Sequence, residues 1–223
     1  LAQHPVPGPI FNTIRAGGYL LWHLFPPKQV FIDGRLVLRT PEFFAEYLTI
    51  LDHPGYFEPV ERTFGITHVL LQTAIFDRDL PLAKKLCADP RWKIADVDAA
   101  WVLFVRDSLL STPALDLSSS SDISTLIEEA RGQWMDDPEI LEENYLHLGN
   151  FLSYVGEFRS SRQAFSAMRR GGAYHCARSY FFENQLDSAK NGLESLLSRN
   201  PRSIPARLLY AMVLFRQNDY KSA

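Results

Sequence analysis

Three pairs of small residues constrain this chain more than any other feature. Gly149 and Ser161, Ala177 and Ala189, and Ala211 and Ala223 each stand twelve positions apart. Large residues accompany each pair: Tyr145, Leu148, Leu152, Phe158 and Phe165 in the first unit, Tyr180, Leu193, Leu196 and Pro201 in the second, Leu214 and Tyr220 in the third. Two antiparallel helices approach closely where small side chains let the backbones meet, and large side chains fill the gaps beside them. The second and third units lie 34 residues apart, and the first precedes the second by 28. That difference predicts a shortened second helix in the first unit, ending near Gly171-Gly172. The stretch 122–223 therefore reads as stacked helical pairs.

The first part, 1–108, reads differently. Short apolar runs at 9–12, 29–33 and 67–72 have the character of buried strands. Helical stretches lie between them. One spans 19–25, opened by a turn at Gly17-Gly18 and stopped by Pro26-Pro27. A second starts at Thr40 as N-cap with Pro41 in the first turn, and a third spans about 56–64 and stops at Gly65. A further helix covers 80–88. Residues 92–96 and 100–106 flank Val97-Asp98-Ala99, which reads as a hairpin connection. The order β-α-β-α-α-β-α-β-β predicts a small, mainly parallel α/β sandwich with antiparallel strands added at one edge. Residues 109–121, with the run Ser118 to Ser121, read as an exposed linker, and Asp122 as the cap of the helix that follows. The fold class is thus α/β for 1–108 and all-α for 122–223.

Composition bounds the function classes. With 46% hydrophobic and 22% charged residues the chain is globular, which excludes overall disorder. The net charge of −3 argues against nucleic acid as a partner. The longest apolar run, 99–105, falls far short of the roughly 20 residues of a membrane helix. Charge is uneven: residues 111–143 hold one basic and nine acidic residues, residues 144–223 eleven basic and five acidic. Such a basic solenoid attracts an acidic partner or the acidic segment beside it. Cys87 and Cys176 fall on apolar faces of predicted helices and read as buried free thiols, their redox compartment undetermined. The chain starts abruptly at Leu1 and stops at Ala223 inside a predicted helix, and reads as a piece of a longer protein.

The repeat pattern of 122–223 resembles the tetratricopeptide repeat family, although the early Trp of that motif is missing and the first unit is short. The first part carries Phe11-Asn12, Gly17 to Trp22 and Val30 to Arg35, then Tyr47, Phe64 to Leu71, Trp92 and Trp101 to Phe104. It resembles the domain that follows the membrane spans in bacterial multi-span glycosyltransferase-like proteins of the protein mannosyltransferase type. That resemblance covers about 9–107. It implies an extracytoplasmic setting on a bacterial membrane, a membrane-embedded parent chain, and helical repeats as a protein-interaction module. In that family, transfer is carried by acidic residues between the spans, so no catalytic residue is carried over. Whether the parent is an active enzyme stays open.

Asp33 and Arg35 leave the end of a buried strand, where open α/β sheets bind ligands. Asp33 suits sugar hydroxyls and Arg35 a phosphate or carboxylate. Asn12 and Arg15 end the first strand and are expected in the same crevice. A glycan or lipid-linked sugar is the ligand expected there, with an independent soluble enzyme as the further alternative. The helical part is expected to present Asn150, Tyr154, Tyr174, Arg178, Phe182, Met212 and Arg216 in a groove for a protein or peptide. Asn and Arg bind a peptide's carboxylate or backbone, and Tyr, Phe and Met supply apolar contact. Two glycines at 17–18 do not make a phosphate loop. No His pair at i, i+4 marks a metal site, no local motif marks a nucleophile, and no cofactor is expected.

Overall fold

The computed structural model describes residues 9–24, 26, 29–35, 40–74, 78–98 and 100–217. The chain divides into two compact units, Leu1–Asp116 and Leu117–Ala223.

The first unit carries one four-stranded mixed sheet in the order β1-β2-β4-β3. Its strands are β1 (Ile10–Asn12), β2 (His68–Gln72), β3 (Trp92–Val97) and β4 (Trp101–Arg106). Its helices are α1 (Ile14–Leu24), α2 (Pro41–Asp52), α3 (Phe57–Phe64) and α4 (Asp79–Ala88). Thr40 caps α2 by accepting from the Phe43 amide, and Gly65 ends α3 in the left-handed region at φ 62°. Asp98 shapes the β3–β4 turn: its Oδ1 accepts from the amides of Ala100 and Trp101. Ala99 lies outside the described residues, as do Phe25 and Pro27.

The sheet is mixed rather than mainly parallel. β1 pairs with β2 in parallel, whereas β2–β4 and β3–β4 are antiparallel. The expected strand at 29–33 is reduced to a single parallel bridge, Ile10 to Val30. Asn12 is the reason. Its side-chain oxygen accepts from the Phe31 amide at 3.0 Å, and its Nδ2 donates to the Ile32 carbonyl at 2.7 Å. A side-chain amide thus replaces the next rung of the backbone ladder.

Gly17 and Gly18 do not form a turn; both lie inside α1. A Cβ at Gly17 would stand 2.1 Å from the Ile32 carbonyl oxygen and 2.5 Å from the Asp33 Cα. The glycine lets α1 rest directly on the 32–33 backbone. Cys87 is exposed rather than buried, because Leu80, Leu82, Ala83 and Leu86 already fill the inner face of α4; Cys176 is half-buried.

The second unit is all-helical: α5 (Ser120–Trp134), α6 (Pro138–Val155), α7 (Phe158–Ala167), α8 (Gly172–Phe182), α9 (Leu186–Arg199) and α10 (Ile204–Arg216). The end of the serine run is helix, not linker. Ser119, rather than Asp122, is the N-cap, accepting from the Asp122 amide, as a serine placed before a helical stretch should.

Each helix from α6 onward packs on the next. Side-chain register makes the neighbours antiparallel. Gly149 meets the Phe165 ring, and one turn on Ser153 bonds Ser161. Tyr210 bonds Glu194, and Gln217 bonds Asp187. Gly149, Ser161, Ala177 and Ala189 are buried at these contacts. Ala211 is half-buried, and Ala223 lies outside the described residues with Asn218, Asp219 and Tyr220.

Candidate functional site

In the second unit, α6, α8 and α10 carry corresponding positions. Asn150, Arg178 and Met212 follow the small residues Gly149, Ala177 and Ala211 by one place, and Tyr154, Phe182 and Arg216 follow one helical turn later. Positions four apart share a helix face, so these six residues form two short rows.

Arg178 is the centre of the first row. It is half-buried, and its Nη2 donates to the Asn150 side-chain oxygen. Among the described residues it pairs with no carboxylate. Burial pulls its pKa below the ordinary guanidinium value, with Tyr174 opposing. Asn150 is itself buried. The result is a cation partly removed from water and matched by one amide oxygen, a place that favours an incoming anion.

The apolar members of the two rows are exposed. Phe182 is 56% exposed, Met212 45% and Tyr154 38%. Tyr174 is half-buried against the core that α8, α9 and α10 share, so its ring is largely structural. Arg216 is also engaged: its guanidinium lies 4.0 Å over the Phe181 ring, and Nη1 donates to the Phe181 carbonyl at 3.4 Å. It holds the C-terminal end of α8.

His175 borders this site unannounced by the sequence. Its ring stacks on Phe165 at 5.1 Å, and its pKa is pushed down to about 4, mainly by burial and then by Arg178. Sequence reasoning also missed Ile204, Leu208 and Phe215, all exposed on α10. Their signal was present, since α10 is apolar on nearly every side.

In the first unit the four expected ligand residues do not converge. Asn12 is fully buried and its amide is consumed by Thr13, Phe31 and Ile32. Asp33 and Arg35 hold each other: Arg35 donates its backbone N–H, Nε and Nη2 to the two Asp33 oxygens at 2.7, 3.2 and 2.8 Å. Arg15 instead lines a cavity of about 490 Å³ with Tyr19, Asp96, Asp98 and Trp101, and none of the other three expected residues lines it. Those four were not legible as a set, because β3, β4 and α1 meet only in three dimensions. Among the described residues no group of three or more His, Cys, Asp or Glu is placed to hold a metal ion. No described helix is long and apolar enough to cross a membrane.

Comparisons with protein-family models, with curated proteins and with solved structures give no match for this chain.

Proposed function

We propose that the second unit is a tetratricopeptide-like docking surface for a protein segment bearing a carboxylate, received on the α6-α8-α10 side. The observation that carries this reading is Arg178, half-buried with only an amide oxygen opposite it. Exposed Tyr154, Phe182 and Met212 supply apolar contact beside it. The corresponding positions of α6, α8 and α10, and the small residues Gly149, Ser161, Ala177 and Ala189 buried at helix contacts, support the repeat reading.

The test is an array of random peptides synthesised in two forms, with a free C-terminal carboxylate or a C-terminal amide, probed with the whole chain and with Arg178→Ala. Selective retention of free-acid or acidic peptides by the unsubstituted chain supports the reading. Equal retention of acid and amide forms, or no loss in Arg178→Ala, contradicts it.

For the chain as a whole we infer an extracytoplasmic, itself non-catalytic part of a membrane-embedded glycosyltransferase-like protein. This rests on the resemblance of the first unit and on no site geometry. Its test is the in-frame coding sequence upstream of Leu1. Several apolar segments of about 20 residues support it, and a short soluble leader contradicts it. A sugar or lipid phosphate at Asp33 and Arg35 is disfavoured, because those two side chains satisfy each other.

A further inference from the structure

The sheet of the first unit is covered unevenly. One face carries Phe11, Trp92 and Arg106, which meet Tyr47 of α2 and Phe57 and Glu61 of α3. On the other face α1 lies over β1, where Ala16 and Leu20 pack with Ile10, and Leu70 and Trp101 lie against them. Register places Leu70 beside Leu103 and Leu103 beside Asp96, so these three share that face. The row floors the 490 Å³ cavity, within the roughly 300–1,000 Å³ usual for small-molecule sites. Arg15 and Tyr19 are contributed by α1, and Asp96, Asp98 and Trp101 by β3, the turn after it and β4.

The polar groups here are largely uncommitted. Arg15 and Asp96 line one cavity, yet neither forms an ion pair or a side-chain hydrogen bond among the described residues. They belong to different elements, α1 and β3. Asp98 uses Oδ1 for the amides of Ala100 and Trp101, which leaves Oδ2 as an acceptor. The Tyr19 ring, 69% exposed, lies against His23 at 4.3 Å, and Trp101 is half-buried.

We infer that this cleft binds a saccharide of one or two rings. Aromatic and leucine surfaces accept the C–H face of a pyranose, while a guanidinium donor and carboxylate acceptors meet hydroxyls, which both give and take hydrogen bonds. An amino-acid zwitterion is the competing class, with its carboxylate on Arg15 and its ammonium on Asp96. Asp98 favours the saccharide: one of its oxygens is committed to the turn amides, and the other is left to meet a hydroxyl. This cleft lies in the first unit, and the inference stands independently of the docking reading.

The experiment titrates the full chain with glucose, mannose, galactose and N-acetylglucosamine, each to about 50 mM, a range set by the weak binding expected of so few atoms. It follows the indole N–H signals of the four tryptophans by NMR, with Trp101 assigned by Trp101→Phe. We expect a saturable shift of the Trp101 signal with at least one sugar while Trp92 and Trp134 stay in place. Asp96→Asn and Arg15→Gln should each weaken binding about tenfold, the loss of one charge-assisted hydrogen bond, and Asp33→Asn should leave it unchanged. An unmoved Trp92 signal reports that each variant is folded. No saturable Trp101 shift with any of the four sugars, or a shift with glycine and leucine alone, overturns the inference.

Discussion

Arg178 and Asn150 lie 28 positions apart, on α8 and α6, and the guanidinium donates to the amide oxygen. The same interval separates Gly149 from Ala177. The bond therefore joins corresponding places in consecutive helical hairpins and ties one hairpin to the next. It leaves the cation without a carboxylate among the described residues, in a setting that has already drawn it partly out of water. A group used only to join helices would be served better by an apolar pair or a complete ion pair.

The first prediction concerns pH. Burial pushes the His175 imidazole down to about 4 in the folded chain, against about 6.5 for an unperturbed imidazole. Between those values the unfolded chain binds the proton and the folded chain does not. Stability therefore falls as pH drops from 6.5 towards 4 and is unaffected by this ring above that window. Urea midpoints measured from pH 7 to 4 should decline, and the decline should be shallower in His175→Gln. Because burial is the larger cause and Arg178 the smaller, Arg178→Met should raise the His175 value by NMR titration without restoring 6.5.

A second prediction tests the close helix contact. A Cβ at Gly149 would lie 2.4 Å from Phe165 Cε1, and that ring is fully buried and stacked on His175. Gly149→Ala should cost about 1–3 kcal/mol by overpacking. Combined with Phe165→Leu, the loss in denaturant unfolding should be smaller than the sum of the two single losses by about 1 kcal/mol. Strict additivity would mean that the two residues do not meet.

Adjacent glycines in α1 should respond with opposite signs. Gly17→Ala drives a methyl into the Ile32 carbonyl, which is backbone and cannot step aside, whereas Gly18 has nothing within 4 Å of its Cβ position. Gly17→Ala should destabilise the first unit by more than about 2 kcal/mol. Gly18→Ala should stabilise it by about 0.5–1 kcal/mol through helix propensity. Thermal unfolding monitored at Trp92, the buried tryptophan of β3, reads both.

The contact of Glu61 with Arg106 offers a test of burial. Glu61 is 2% exposed on the inner face of α3, and Arg106 reaches it from the end of β4. Arg106→Met strands a buried carboxylate and should cost about 3–5 kcal/mol, whereas Glu61→Leu with Arg106→Met should recover most of that loss. A single substitution that costs less than 1 kcal/mol would show the carboxylate to be solvated.

Much of this fold was readable from local chemistry. Thr40 with Pro41 fixed the start of α2, Gly65 the end of α3, and the spacing of Gly149, Ser161, Ala177 and Ala189 marked the helical contacts. These are signals a residue carries within its own turn or hairpin. The sheet was overestimated as parallel because residues 29–33 look like a strand to any local criterion. The backbone ladder there stops after the Ile10–Gln29 and Phe31–Ile10 bonds, and the side chain of Asn12, twenty positions before Ile32, takes the bonds beyond them. The same limit governs the sites. Asn150 and Arg178 were found through the repeat spacing, which places them in known relation. Asp33 and Arg35 were chosen by their place after a strand, and a two-residue turn pairs them with each other. Tyr19, Asp96, Asp98 and Trp101 share a cleft through tertiary contact alone.

The docking claim is tested most directly at the side chains that carry it. The measurement is a pair of NMR titrations of the full chain with one acidic peptide selected from the array, in free-acid and in C-terminally amidated form, following Arg178 Nε and Asn150 Nδ2. We predict saturable shifts of both signals with the free acid, and binding weakened about tenfold by amidation. Equal shifts with both forms, or shifts confined to signals outside α6, α8 and α10, would contradict it.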